Sequence, residues 1–395
     1  MVSERMLGLG TSRSVIRELF EYGKQRAAVV GKENVFDFSI GNPSVPAPPE
    51  VNQIAIRLLQ EEDPTILHGY TSAQGDPAVR QAIADNLNSR FGTNYVGSDF
   101  YMTVGAAAAL CCCFNGLTCP GDEFITIAPY FPEYKVFIEG AGASMKLIQP
   151  HADTLQIDAQ ALADAISPST KGVVINSPNN PSGVIYTEET LTAVAKVMKA
   201  KSEEYGHPIF LISDEPYREI CFEGFTVPWL PKFYDNTIVT YSFSKSLSLP
   251  GERIGYVLVP QTVTEYAKVY AAIAGAGRSL GYVNAPSLFQ RVAAECCGMT
   301  SDISIYENNA KMLVTSLREM GYECVQPQGA FYLFLKALED DDRAFSLKAR
   351  EFDLLLVPGS GFGAPGWLRL AFCVQPEMIL RAMPKFKELA QAYGK

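Results

Sequence analysis

The sequence predicts an α/β protein: a large domain with a mainly parallel, seven-stranded-type sheet sandwiched by helices, plus a smaller α+β domain built from both termini. Three observations carry this expectation. Seven short apolar runs alternate with helical stretches over residues 101–259, the pattern of a parallel sheet covered on both faces. A proline-rich crossing interrupts the chain near residue 43, and after about residue 285 the rhythm changes to a long helical stretch followed by strands and a closing helix. The 395 residues suffice for two to three folding units, taking roughly 150 residues each.

In chain order, Val15, Ile16, Leu19, Phe20 and Gly23 fall at helical spacing, so a helix is expected from Ser14 to about Val30, with Thr11, Ser12 and Ser14 as candidate caps. Residues 36–50 read FDFSIGNPSVPAPPE, with four prolines between positions 43 and 50, which excludes helix and suggests an extended crossing. The domain boundaries are set accordingly. Residues 1–48 hold the amino-terminal helix and crossing segment of the small domain, 49–284 the large domain, and 285–395 the small carboxy-terminal domain. Strands are expected at 101–104, 124–128, 145–149, 172–176, 208–213, 237–243 and 253–259, with helical runs such as GAAAALCCCFNGL and EETLTAVAKVMKAKSEEYG between them. Further on, GAFYLFLK, DLLLVPG and WLRLAFC read as strands and the closing helix starts at Pro376. In parallel sheets, ligands sit outside the carboxyl ends of the strands.

Composition narrows the function. Lys and Arg minus Asp and Glu is 33 − 43 = −10, a balance that repels phosphate backbones and anionic lipid, so neither nucleic acid nor membrane is an expected partner. With 47% apolar and 19% charged residues the chain is not disordered. No apolar run reaches membrane-spanning length and the amino terminus lacks a secretory pattern, so the expected location is cytoplasmic. Nine cysteines, three of them consecutive (Cys111, Cys112, Cys113) and two adjacent (Cys296, Cys297), read as reduced, buried small hydrophobes. No CxxC pair occurs, and His68, His151 and His207 are far apart in sequence, so no metal site is expected.

The most informative segment runs Ser242-Phe243-Ser244-Lys245-Ser246-Leu247-Ser248-Leu249-Pro250-Gly251-Glu252-Arg253-Ile254-Gly255, at the end of an apolar strand. Two hydroxyls, a lysine and an arginine gathered around one turn suit a ligand with both a phosphate and an aldehyde. The arginine fork and the hydroxyls hold the phosphate, and the lysine amine condenses with the aldehyde. Elsewhere, Asp214 ends a buried strand with Tyr217 three residues on, Asn180 lies in an Asn-Pro-Ser-Gly turn, and Gly105-Ala106-Ala107 opens a helix whose amide groups can bind phosphate.

The run from Ser242 to Gly255 resembles the lysine-attachment signature of the class I/II aminotransferases, the fold-type I pyridoxal phosphate enzymes typified by aspartate aminotransferase. The other landmarks follow in the family's order over essentially the whole chain. The resemblance implies that pyridoxal 5′-phosphate is held as a Lys245 aldimine, that Asp214 pairs with its pyridine nitrogen, and that Tyr217 and Asn180 bond its phenolic oxygen. It implies a phosphate held by Gly105, Ala106, Ala107, Ser242, Ser244 and Arg253. The side-chain hydroxyl or amide often found in the Gly105 stretch is missing here. An aromatic ring stacks on the pyridine, Phe131 being preferred to Tyr130. Arg369 grips the substrate carboxylate, which the main chain at Gly41 approaches and Asn180 helps to bind. Tyr70 reaches the partner subunit's phosphate, so the implied assembly is a homodimer with a shared site.

The implied reaction is transfer of an amino group between an L-α-amino acid and a 2-oxo acid. Two alternatives keep the cofactor: a β-elimination (C–S) lyase and an enzyme similar to aminocyclopropane-carboxylate synthase. A non-enzymatic effector domain is opposed by the presence of Lys245, Asp214 and Arg369 together. Preference among amino donors is open. Dicarboxylate-specific relatives use a second arginine, and either Arg278 or Ser279 stands near its expected place.

Overall fold

The computed structural model describes residues 2–11 and 15–395. Two units emerge. The smaller holds residues up to 44, 180–183 and 304–395; the larger holds 45–179 and 184–303. The second boundary therefore falls at 303/304 rather than the expected 284/285. Its cause is the helix Ser287–Glu295, whose Val292 and Ala293 join Val79, Ile83 and Leu87 of the helix Pro77–Phe91 in one buried cluster of the larger unit. Residues 180–183 belong to the smaller unit because the amides of Gln328 and Gly329 both donate to the Gly183 carbonyl.

In the smaller unit the chain enters through a helix Glu4–Thr11, which the sequence reading did not anticipate and which buries no residue. The expected helix follows as Val15–Val30, setting Leu19 against Leu355, Val357 and Phe362. Of its candidate caps, Ser12 and Ser14 lie outside the described residues, and Thr11 ends the preceding helix. Strand β1 (Phe36–Asp37) comes next.

The larger unit contains β2 (Phe100–Thr103), β3 (Glu123–Ile127), β4 (Ser144–Ile148), β5 (Thr170–Asn176), β6 (Phe210–Asp214), β7 (Thr237–Ser242) and β8 (Gly255–Leu258). They form one seven-stranded sheet in the order β2-β8-β7-β6-β5-β3-β4, with only β8 antiparallel to its neighbours. Successive residues point to opposite faces, and both faces are buried. Phe210 and Ile212 face the helices Ala106–Leu117 and Glu133–Gly140, while Leu211 faces Ala159–Ala165 and Glu188–Tyr205.

The smaller unit closes with β9 (Tyr332–Lys336), β10 (Leu354–Leu355), β11 (Val357–Pro358) and β12 (Trp367–Ala371). The segment DLLLVPG, expected as one strand, is two short ones: β10 pairs parallel with β1, and β11 pairs with β12 in the antiparallel sheet β11-β12-β9. The chain thus changes sheets at Leu356. All nine cysteines are free. Among the described residues no helix is long and apolar enough to cross a membrane, and no group of His, Cys, Asp or Glu side chains is placed to hold a metal ion.

Candidate active site

Strand register assembles the centre of the site in the larger unit. Asn176, Asp214 and Thr240 lie side by side near the carboxyl ends of β5, β6 and β7. The Asp214 carboxylate is buried, accepting a hydrogen bond from the Tyr134 hydroxyl at 2.5 Å and a longer one from Thr240 at 3.4 Å. Burial pushes its pKa up to about 7; the two hydroxyl donors oppose the rise and the neighbouring Glu215 carboxylate adds to it. The Tyr134 hydroxyl is itself pushed well up by burial and by Asp214, so it remains a proton donor. Asn176 donates its side-chain amide to the Asp214 carbonyl at 2.8 Å, fixing the strand end. Tyr217 is buried in the turn that follows, where its carbonyl accepts from the Ile220 amide at 2.8 Å.

One strand over, Ser242 caps the short helix Phe243–Ser246: its Oγ accepts from the Ser244 amide at 3.2 Å and lies 2.6 Å from Ser244 Oγ. Lys245 sits half-buried in this turn. Arg253 adopts φ 51°, a left-handed conformation uncommon outside glycine, and donates to Pro250 O at 2.9 Å and Ser244 Oγ at 3.5 Å. Its guanidinium lies against Gly105. A Cβ at residue 105 would stand 2.8 Å from Arg253 Nη2, and φ there is +88°, so both space and backbone demand glycine. Ala106 and Ala107 open the helix Ala106–Leu117, where amides lie beyond the reach of intrahelical acceptors. Helix amides, two hydroxyls and a guanidinium thus collect at one point, a donor set matched to a phosphate dianion.

Phe131 meets Tyr134 edge to face, ring centroids 5.6 Å apart, and so adjoins the group that bonds Asp214. Tyr130 is also half-buried. Tyr70 is 94% exposed, and Arg278 and Ser279 are exposed at the end of the helix Tyr266–Ser279.

The smaller unit holds a second cluster. Arg369 lies mid-strand in β12, buried, with Nη1 donating to Asn180 Oδ1 at 3.2 Å and Nη2 to the Ser39 carbonyl at 2.6 Å. Neither acceptor carries a charge. The guanidinium carbon stands 4.7 Å from the Tyr332 ring centroid and 5.0 Å from that of Phe362. Gly41 belongs to the same group, because a Cβ there would collide with the Tyr332 hydroxyl. The structure therefore joins Asn180 to Arg369 within this unit, whereas the sequence reading divided it between cofactor and substrate.

Tyr134, Thr240, Tyr332 and Ser39 were not picked out from sequence. Tyr332 sits in an apolar strand and reads as core. Tyr134 carried one faint signal, its position three residues after Phe131 at the start of a helix.

A family profile described as Aminotransferase class I and II matches residues 33–386. The aspartate aminotransferase of Thermotoga maritima is 28% identical over 98% of this chain and 99% of its own length. A probable N-acetyl-LL-diaminopimelate aminotransferase of Bacillus subtilis is 29% identical, covering 91% of this chain and 90% of its own. A crystal structure titled as an amino transferase from Eubacterium rectale superposes with a TM-score of 0.98 at 56% identity, over 100% of both chains.

Proposed function

The chain belongs to the class I and II aminotransferases, and on that premise we propose that it moves an amino group between an L-α-amino acid and a 2-oxo acid, using pyridoxal 5′-phosphate attached at Lys245. The observation that carries this reading is Asp214: a buried carboxylate, raised to about 7 by its surroundings, at the end of the strand beside the Lys245 turn. A site that spends stability on such a group gains when a protonated nitrogen meets it. The donor set around Gly105, Ser242, Ser244 and Arg253 fits the cofactor's phosphate, and the edge-to-face contact with Tyr134 favours Phe131 over Tyr130 as the stacking ring. Bound pyridoxal phosphate supplies an electron sink for the substrate's α carbon.

The chain's own residues do the rest. Asp214 would keep the ring nitrogen protonated, Tyr217 would bond the phenolic oxygen, and Lys245 Nζ would hold and move the proton at the α carbon. Arg369 grips the α-carboxylate, with Asn180 holding its fork and Gly41 allowing the main chain to approach. The fully exposed Tyr70 supports a homodimer in which that ring serves the partner's site. Nine free thiols support a reducing, cytoplasmic location.

The test is borohydride reduction of the cofactor-loaded protein followed by peptide mapping. The cofactor's mass should appear on the peptide containing Lys245, and Lys245→Ala should lose both the label and, by about 10²–10⁴-fold or more, transfer to 2-oxoglutarate. Label on another lysine would overturn the assignment. Ammonia and pyruvate in place of stoichiometric glutamate would replace transfer by elimination.

A further inference from the structure

The larger unit keeps a second group of charges behind the Asp214–Tyr217 turn. Arg218, 6% exposed, gives each nitrogen its own acceptor: Nη1 donates to Glu215 Oε2 at 2.9 Å, Nε to Glu219 Oε1 at 3.0 Å and Nη2 to the Tyr256 hydroxyl at 3.2 Å. The Tyr241 ring lies 4.3 Å from its guanidinium carbon. Arg90 grips Glu219 with two bonds of 2.9 and 2.6 Å, and the Ser213 hydroxyl donates to Glu215 Oε1 at 2.6 Å. Two guanidiniums and two carboxylates cancel. Burial raises the Glu215 carboxyl while Arg218 opposes the rise, and Glu219 is held down at about 2: burial acts against that lowering, and the charges of Arg218 and Arg90 outweigh it.

A well-packed apolar replacement of such a buried cluster is often neutral or stabilising by about 1–4 kcal/mol. Stability alone therefore gives no reason for it. Geometry does. The Glu215–Arg218 bond spans the same turn as the main-chain bond from Arg218 N to Glu215 O, 3.3 Å, so Tyr217 is held between two staples with Asp214 immediately ahead of them. Tyr241, covered by the same guanidinium, donates its hydroxyl to Ser246 Oγ at 2.9 Å, next to Lys245, and the Ser301 amide bonds the Ser246 carbonyl at 2.8 Å. One side chain thus touches the turn that carries Tyr217 directly and the turn that carries Lys245 through a single ring.

We propose that Arg218 is a positioning residue that sets Tyr217 and Lys245 in place relative to Asp214; the proposal rests on the reading of Lys245 as the cofactor lysine. It requires the guanidinium fork, since Nη1, Nε and Nη2 each reach a separate acceptor, a spread of donors that a single ammonium nitrogen does not reproduce.

The experiment compares Arg218→Lys with wild type, both loaded with pyridoxal phosphate, in kcat, KM and the pH midpoint of the bound cofactor's visible absorption. Misplacement of reacting groups by about 1 Å can cost on the order of a hundredfold, so kcat should fall at least about tenfold while KM changes little. With the Tyr217 and Lys245 partners displaced, the absorption midpoint should move by about half a pH unit or more. A folded Arg218→Lys with wild-type kcat and midpoint, whatever its melting temperature, overturns the proposal. If that variant does not fold, Tyr241→Phe decides: it keeps the ring and loses only the bond to Ser246. The same signature in smaller size supports the proposal, and wild-type kcat and midpoint overturn it. A wild-type protein that takes no cofactor at Lys245 defeats the functional reading instead, so the two failures are told apart.

Discussion

Replacing Asp214 with asparagine should make the cofactor-free protein more stable at pH 8 while making the loaded enzyme slower. The Asp214 carboxyl titrates at about 7 in the folded protein against a reference of 3.8. Because its folded pKa is raised, the native state holds a proton that the unfolded chain releases, so stability falls as pH climbs through this window. Well below the reference value of 3.8 both states are protonated and the group costs nothing. The cost then grows with each pH unit and levels off above 7, where three pH units at 1.36 kcal/mol each give about 4 kcal/mol. Asparagine is isosteric and has no charge to bury. Its oxygen can still accept from Tyr134, and its amide can donate to the Thr240 hydroxyl. Urea unfolding of both cofactor-free proteins between pH 5 and pH 8 should therefore show the stability gap widening by about 2.5 kcal/mol in favour of Asp214→Asn. On the proposed pairing of Asp214 with the cofactor's ring nitrogen, losing that charge-assisted bond, about 1.5–3 kcal/mol, should lower kcat by about ten- to hundredfold. A gap that stays constant with pH refutes the buried-charge reasoning.

Removing the Tyr134 hydroxyl in Tyr134→Phe takes away a donor that holds the Asp214 pKa down, so the midpoint of that pH-dependent cost should move above 7, read by the same unfolding series. Gly41→Ala should displace the Tyr332 ring that lies beside Arg369 and, on the proposed role of Arg369, raise KM for amino-acid substrates by about 10–100-fold, on the usual cost of overpacking. Adding Tyr332→Phe, which removes the nearest clashing atom and leaves the ring carbons at 2.8 and 2.9 Å, should recover part of that loss but not all of it; full recovery would refute the ring clash.

Much of the scaffold was legible because it rests on local pattern. All seven strands of the large sheet were located within a residue or two, since buried parallel strands are continuous apolar runs bounded by turn residues. Lys245, Arg253, Asp214 and Gly105 could be singled out as candidates because each lies at or beside a strand terminus in a distinctive run of residues. What escaped depends on distant contacts. The 303/304 boundary follows from how one helix packs, and the sheet change at Leu356 from which neighbour each half of DLLLVPG finds. Tyr134 and Tyr332 matter through partners 80 and 37 positions away, Asp214 and Arg369 (214 − 134 and 369 − 332), and no window of sequence shows such pairs.

The buried acids of the larger unit divide in a way that bears on cofactor affinity. Asp99 takes bonds from the Val96 amide, Gln261 and the Tyr266 hydroxyl, and Glu215 faces Arg218. Asp214 has two hydroxyls, one of them at 3.4 Å, and its carboxyl is raised to about 7. A cation that meets Asp214 can return part of the cost that burial imposes, and it is attracted only where the folded carboxyl is ionised, above about 7. Pyridoxal phosphate should therefore raise the melting temperature of wild type more at pH 8 than at pH 5.5. The Asp214→Asn protein keeps Lys245 and the donors proposed for the phosphate but has no ionised acid to neutralise, so its gain should vary less between those two pH values. Equal pH dependence in the two proteins would assign the coupling to Lys245 or the phosphate, and Asp214 would lose its place as the group that ties stability to cofactor binding.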